Sequence, residues 1–273
     1  MIGLFDSGVG GLSVWKELVA LMPYERYVYV SDSGYCPYGP QPREYIIDRA
    51  ERISKFLIEK GADIIVVACN TATAASIDYL RSNFNIPFVG MEPAVKPAAL
   101  QTESGVIGVL ATQGTLRGEL YLRTLHKFAS NTKVIEQVGN GLVELVEQGK
   151  VDTPQAKSLL EKFIRPMLNE NADHIVLGCT HYPFLIKPIR EITGDSVNIV
   201  NPAPAIARQT MAVLGAKSSL GGIKPESNLF CTTGNNLELL ERMVNEIISE
   251  LKDSGVNEND CFPAENRFCS IDI

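Results

Sequence analysis

Two stretches, Asp63-Ile64-Ile65-Val66-Val67-Ala68-Cys69 and Asp173-His174-Ile175-Val176-Leu177-Gly178-Cys179, decide the reading of this chain. Each is a short, almost unbroken apolar run that ends in a cysteine. Such a run fits a strand buried on both faces of a parallel sheet, because a strand with one wet face would alternate. The two runs match position by position at a spacing of about 110 residues. Working outward, Ile2-Gly3-Leu4-Phe5-Asp6-Ser7 pairs with Ile107-Gly108-Val109-Leu110-Ala111-Thr112, and Pro93-Ala94 with Pro202-Ala203, at nearly the same spacing. Apolar strands resemble one another in any parallel sheet. A cysteine with a following threonine after equivalent strands is more specific, and it predicts a duplicated α/β unit.

The flanking sequence fills in the pattern. Ile2–Phe5, Tyr27–Val30, Ile64–Ala68 and Phe88–Met91 read as strands, with helices over Leu12–Met22, Arg43–Lys60 and Thr71–Ser82. The order recurs with strands at Val106–Leu110, Lys133–Val138, Ile175–Gly178 and Val197–Val200. Strand–helix alternation predicts parallel sheets flanked by helices. The expected fold is therefore α/β, with two pseudo-symmetric domains and a site in the cleft between them. A further helix (Ala205–Leu214), a Gly/Ser/Lys-rich loop (Ala216–Lys224), a strand (Asn228–Cys231) and a helix (Leu237–Lys252) have no counterpart after Pro93. They are expected to return to the first half. The domains are then 1–92 plus 206–273, carrying Cys69, and 93–205, carrying Cys179. The polar tail after Asp253 has no place in this scheme.

The 273 residues carry a net charge of −7, with 45% apolar residues. That composition suits a globular protein with a sizeable core and argues against nucleic-acid binding, which favours basic stripes. No apolar run approaches the roughly 18 residues of a membrane helix. The Met1–Asp6 start lacks the basic, then long apolar, character of a signal peptide. A cytoplasmic protein without membrane partners is expected. The six cysteines are scattered with no C-x-x-C pair, so neither a disulfide framework nor a structural zinc site is expected. Cys36, Cys231, Cys261 and Cys269 read as inert small hydrophobes, and His126 and His174 as structural.

In open parallel sheets, ligands bind beyond the carboxyl ends of the strands. That rule selects Asp6-Ser7, Ala111-Thr112, Cys69-Asn70-Thr71 and Cys179-Thr180-His181. A thiol where a strand turns into a helix meets free amide N–H groups and a partial positive charge. Both favour thiolate, so a depressed pKa is expected for Cys69 and Cys179. Two such thiols facing each other across one cleft suit removal of a proton from one face of a carbon acid and its return to the other. Gly8-Val9-Gly10-Gly11 is a tight turn into a helix. It lacks the G-x-G-x-x-G spacing of a dinucleotide site and reads as a backbone approach to a small anion or as packing glycines.

Asp6-Ser7-Gly8, Pro37-Tyr38-Gly39, Cys69-Asn70-Thr71-Ala72 and Gly178-Cys179-Thr180-His181-Tyr182-Pro183 resemble, in order, the signature blocks of the glutamate racemases, in the aspartate/glutamate racemase superfamily. The resemblance implies a two-base mechanism with no cofactor and no metal, Cys69 acting on D-glutamate and Cys179 on L-glutamate. It implies auxiliary acid/base roles for Asp6 beside Cys69, and for His181 and Glu147 beside Cys179, although Glu144 lies on the same predicted helix face as Glu147. Substrate contacts are implied for Asp6, Ser7, Tyr38, Gly39, Asn70, Thr71, Thr180 and His181. The family is generally a cytoplasmic homodimer that makes D-glutamate for bacterial peptidoglycan. The Asp32-Ser33-Gly34-Tyr35-Cys36 segment and Asn201-Pro202-Ala203 depart from its usual wording.

Other readings remain open on the residues alone. An aspartate racemase or related isomerase would use the same cysteines. A hydrolase or lyase would need one nucleophilic cysteine and an adjacent base. A two-lobed binding protein would need neither thiol.

Overall fold

The computed structural model describes residues 1–215, 226–254 and 265–273. The first half runs β1 (Ile2–Asp6), α1 (Leu12–Leu21), β2 (Tyr27–Ser31), α2 (Arg43–Glu59), β3 (Ile64–Val67), α3 (Asn70–Asn83), β4 (Phe88–Gly90). The second runs α4 (Val95–Gln101), β5 (Val106–Ala111), α5 (Gln113–Leu116), α6 (Glu119–Phe128), β6 (Lys133–Val138), α7 (Leu142–Glu147), α8 (Pro154–Asn169), β7 (His174–Gly178), α9 (Ile186–Thr193), β8 (Asn198–Val200). The chain ends with α10 (Ala203–Leu214), β9 (Ser227–Thr232), α11 (Leu237–Asp253) and β10 (Glu265–Ser270). The Ala216–Lys224 loop and Cys261 lie outside the described residues.

There are two parallel sheets, ordered β10-β9-β2-β1-β3-β4 and β6-β5-β7-β8. The run β2-β1-β3-β4 repeats as β6-β5-β7-β8, so the expected fold and its internal repeat are both present. Every residue of β1 and β3 is buried, as their unbroken apolar runs require. Register carries the symmetry to the site. Phe5 lies opposite Val67, so Ser7 and Cys69 leave the first sheet at one level. Ala111 lies opposite Gly178, so Thr112 and Cys179 leave the second likewise.

The late elements do return to the first sheet. β9 pairs with β2, and the tail that sequence left unplaced adds β10 as the outer strand beside β9. Aromatic packing explains the attachment: Phe230 of β9 meets Trp15 of α1 edge-on at 5.0 Å and stacks on Phe268 of β10 at 5.3 Å. One apolar cluster then runs from Trp15 and Phe230 through Val66 to Leu110, Leu177 and Tyr182, tying the two sheets together.

Asp173 shows how a non-apolar residue fixes a strand start. Its carboxylate accepts from Thr102 Oγ1 (2.7 Å), Glu103 N–H (2.7 Å), Ser104 N–H (2.8 Å) and His174 Nδ1 (2.8 Å), joining the end of α4 to β7. Partial burial opposes its charge, but these donors prevail and hold the carboxyl well below its usual range. A carboxyl with a depressed folded-state pKa stabilises the fold above its unfolded pKa, near 4, and that stability drains away as pH falls through the lower folded value. Asp173→Ala is expected to cost about 1–3 kcal/mol at neutral pH and to flatten the acid limb. Urea midpoints from pH 7 down to 3 check this; an unchanged acid limb would contradict it.

Candidate active site

Cys69 is the N-cap of α3, with an extended backbone (φ −145°, ψ 122°), and its Sγ accepts from the Ala72 N–H at 3.3 Å. Its thiol also points to Ser7 Oγ, 3.9 Å away. Cys179 ends β7 differently. Thr180 and His181 lead into a single 3₁₀ turn, Tyr182–Leu185, before α9 begins. The two cysteines therefore occupy equivalent strand ends but unlike helix starts. The loops are joined across the halves by Ser13 Oγ, which donates to the Thr180 carbonyl at 2.9 Å.

Behind Cys179 stands a chain of acid/base groups, with His181 and Asp6 buried and Glu147 partly so. His181 Nδ1 is 3.7 Å from Cys179 Sγ and 3.9 Å from Asp6 Oδ2, and its Nε2 is 2.7 Å from Glu147 Oε1. Of the two glutamates on α7, Glu147 reaches the histidine; Glu144 lines a separate outer cavity. Glu147 is held by the Val9 N–H (2.6 Å) on Oε1 and by Asn236 Nδ2 (3.2 Å) on Oε2. Asp6 is pinned by the N–H groups of Ser7 (2.7 Å) and Gly11 (2.6 Å) and by Thr180 Oγ1 (3.3 Å).

The glycine turn thus does approach anions, and they are the protein's own carboxylates. A Cβ on Gly8 would sit 1.9 Å from Glu147 Oε1, and one on Gly10 would sit 2.3 Å from His181 Nδ1. Gly8→Ala must push Glu147 off His181. An ångström-scale misplacement of this kind costs up to about 10²-fold in rate. Gly8→Ala is therefore expected to lower kcat by about 10–10²-fold with little change in the unfolding midpoint. Wild-type turnover in this variant would show that the Glu147–His181 contact is idle.

The electrostatics correct one expectation. The Cys69 thiol is not depressed but pushed well above its ordinary value, first by complete burial and then by the Asp6 carboxylate. The Ala72 N–H opposes this and loses, because desolvation of a buried thiolate outweighs one amide dipole. For His181, burial works against the charge, yet hydrogen bonds to Cys179 and Glu147 and the Asp6 carboxylate raise its pKa well above the usual range. Asp6 is itself raised, by burial first and by Glu147, while His181 opposes.

Cys69, Cys179, Ser7, Tyr38, Gly39, Asn70, Thr71, Thr180 and His181 all line one cavity between the sheets, whose volume is about 20 Å³. Asp6 and Glu147 do not line it. They stand behind His181, with Asp6 also beside Cys69. Both side-chain polar atoms of Asn70 are buried without a hydrogen-bond partner. Buried amides are normally satisfied, so Asn70 marks the wall where a polar ligand belongs. The cavity holds about one water and must open to admit any larger ligand. The Tyr38 hydroxyl is engaged, donating to Asp32.

Two sets of neighbours go beyond the residues that the resemblance implies: Thr112, which the strand-end rule selected, and the Asp32–Arg49 pair, which sequence reasoning missed. Thr112 lines the cavity and exchanges hydrogen bonds with Thr71 (2.8 Å) and Thr115 (2.9 Å). Its alignment with Ser7 was the available signal. Asp32 and Arg49, which support Tyr38, carried no local signal, because they meet only through the fold.

A profile of the Asp/Glu/Hydantoin racemase family matches residues 12–210. The chain belongs to that family. Among curated members, the glutamate racemase of Herpetosiphon aurantiacus is 48% identical over 219 residues, covering 80% of this chain and 86% of that protein. Two solved structures of the family share the whole architecture. Escherichia coli glutamate racemase, in complex with L-glutamate and the activator UDP-MurNAc-Ala, has TM-score 0.83 at 30% identity over 99% of this chain and 97% of that one. A Bacillus anthracis glutamate racemase isoform has TM-score 0.82 at 30% identity, covering 100% and 97%. The chain thus shares its fold with glutamate racemases over nearly its whole length.

Proposed function

We propose that this chain interconverts L- and D-glutamate by proton transfer between Cys69 and Cys179. The observation that carries the reading is that both thiols, from equivalent strand ends of two repeated sheets, line one cavity with His181 and the unpartnered Asn70 amide. Relatives named glutamate racemase at 42% and 48% identity supply the substrate.

In the D-to-L direction, the Cys69 thiolate takes the α-proton and leaves a carbanion, and the Cys179 thiol returns a proton on the opposite face. Cys69 ends protonated and Cys179 as thiolate; L-to-D reverses the roles. Protonated His181, at 3.7 Å, offsets the Cys179 thiolate and is itself steadied by Glu147 and Asp6. Raised Asp6 provides a proton acceptor beside Cys69. Asn70, Ser7, Thr71 and Thr180 are the donors and acceptors that would hold the amino acid, with Gly39 and Tyr38 closing one wall. No step calls for a cofactor.

The role extends to supply of D-glutamate for peptidoglycan, by a cytoplasmic homodimer, as the resemblance to the family implies. No helix among the described residues is long and apolar enough to cross a membrane. The units that part to admit substrate are taken as 1–92 with 206–273, and 93–205, a division supported by the pairing of β9 with β2. A coupled assay of D-glutamate formed from L-glutamate tests the function, with aspartate in a parallel arm. Turnover of glutamate without added cofactor is expected. Turnover of aspartate alone would move the chain to a sister activity, and turnover of neither would end the proposal.

A further inference from the structure

Beside the catalytic cavity lies an outer one of about 380 Å³, walled by residues that include Ser33, Cys36, Glu144, Glu147 and Asn236. Cys36 and Glu147 line it, and behind them stands His181 of the catalytic cavity: the Cys36 sulfur, a Glu147 carboxylate oxygen and a His181 ring nitrogen all lie within 4.8 Å of one another. Thiolate, carboxylate and imidazole together make the donor set of a borderline-soft divalent cation. Bonds of about 2.0–2.3 Å place the donors of a tetrahedral zinc about 3.5 Å apart, so small adjustments suffice: Glu147 Oε1 and His181 Nε2, now 2.7 Å apart, separate as the ion replaces the hydrogen bond between them, and the sulfur already lies within 4.8 Å of both residues' donor atoms. Two of the three donors are already oriented. Glu147 is held by the Val9 N–H and Asn236, and His181 faces Glu147 through Nε2.

The surroundings favour a cation. The triangle contains the Glu147 carboxylate, and a second carboxylate, Asp6, lies 3.9 Å from the His181 ring. Their negative charges stabilise a dication bound among these donors. Cys36 has no part in the proton transfers described above, so this triangle couples a spare thiol to working acid/base groups.

We propose that Cys36, Glu147 and His181 form an inhibitory site for a divalent cation of the zinc class, with its fourth position open to the outer cavity. The ion takes the place of the thiol proton of Cys36 and the Nε2 proton of His181; both protons leave to solvent, and nothing is oxidised or reduced. Bound so, His181 no longer carries the charge that steadies a Cys179 thiolate, and racemisation stops until the ion is removed. The proposal goes beyond the racemase reading, and binding is measurable without it.

The test uses the full chain after chelator treatment, titrated with zinc against a chromophoric chelator and with cobalt(II) as a spectroscopic probe. Wild type is expected to bind one equivalent, to show the near-ultraviolet thiolate-to-cobalt charge-transfer band, and to be inhibited by zinc reversibly with EDTA. Cys36→Ser and Cys36→Ala are each expected to lose the band and to bind zinc at least about tenfold more weakly, while metal-free turnover is unchanged. Variants that keep the band and bind zinc as wild type does would place the metal on another thiol and overturn the assignment. So would a wild-type chain that binds no stoichiometric zinc. Because the cobalt band does not depend on turnover, a chain with no racemase activity would still decide this question.

Discussion

Cys69→Ala and Cys179→Ala are each expected to lower racemisation by about 10²–10⁴-fold, the usual contribution of a positioned acid or base, but with opposite signatures. Cys69→Ala removes the group on one face of the α-carbon. It should lose exchange of the D-glutamate α-hydrogen with solvent and keep slow exchange on L-glutamate through Cys179. Cys179→Ala should show the reverse. The two losses are not additive, because inversion needs both thiols and either deletion alone stops it. Each thiol packs in an apolar cluster and also borders the cavity, so alanine removes one sulfur and enlarges an existing cavity. Proton NMR of each enantiomer in deuterated water, with each variant, separates the two faces. Loss of exchange for both enantiomers in both variants would contradict the division of labour.

The largest expected effect on stability is at Arg49. Its guanidinium holds Asp32 through two contacts, Nε to Oδ2 at 3.0 Å and Nη2 to Oδ1 at 2.8 Å, with both side chains buried. It also lies 3.6 Å over the ring of Tyr35, and Nη1 donates to the carbonyl of Ile273 at 2.5 Å, so it clasps the chain end beyond β10. Asp32 in turn takes the hydroxyls of Tyr38 and of Thr233, the latter at 2.8 Å. Arg49→Ala leaves a buried carboxylate without its cation, a loss of about 3–5 kcal/mol. Arg49→Lys should recover only part, since a point charge cannot reproduce the two-pronged contact. Removing both charges, as Arg49→Met with Asp32→Leu, should cost less than Arg49→Ala alone. Denaturant midpoints check the order. Arg49→Ala within about 1 kcal/mol of wild type would mean that the pair stabilises little.

What was legible in the sequence follows from range. The central strands of both sheets could be read because burial on two faces forces nearly unbroken apolar runs, as in Ile64–Val67 and His174–Gly178. The cysteine loops were legible because strand ends are where parallel sheets present ligand sites. Strand β10 was not, because Glu265–Ser270 is polar and binds at an edge through backbone pairing and one aromatic stack. The Asp32–Arg49 support for Tyr38 was not, because nothing in either local sequence names the partner. The Cys69 pKa went the wrong way for a similar reason. A helix start can be read from order along the chain, whereas complete burial beside Asp6 exists only after the two halves close.

Two opposed thiols require that one proton leave one face of the α-carbon while a different proton arrives on the other. L-glutamate turned over briefly by wild-type protein in deuterated water measures this directly. The first D-glutamate formed should carry deuterium at the α-position while the remaining L-glutamate keeps protium. D-glutamate that retains the substrate's own hydrogen would mean a single base carrying it across, and the opposed pair of thiols would have no function.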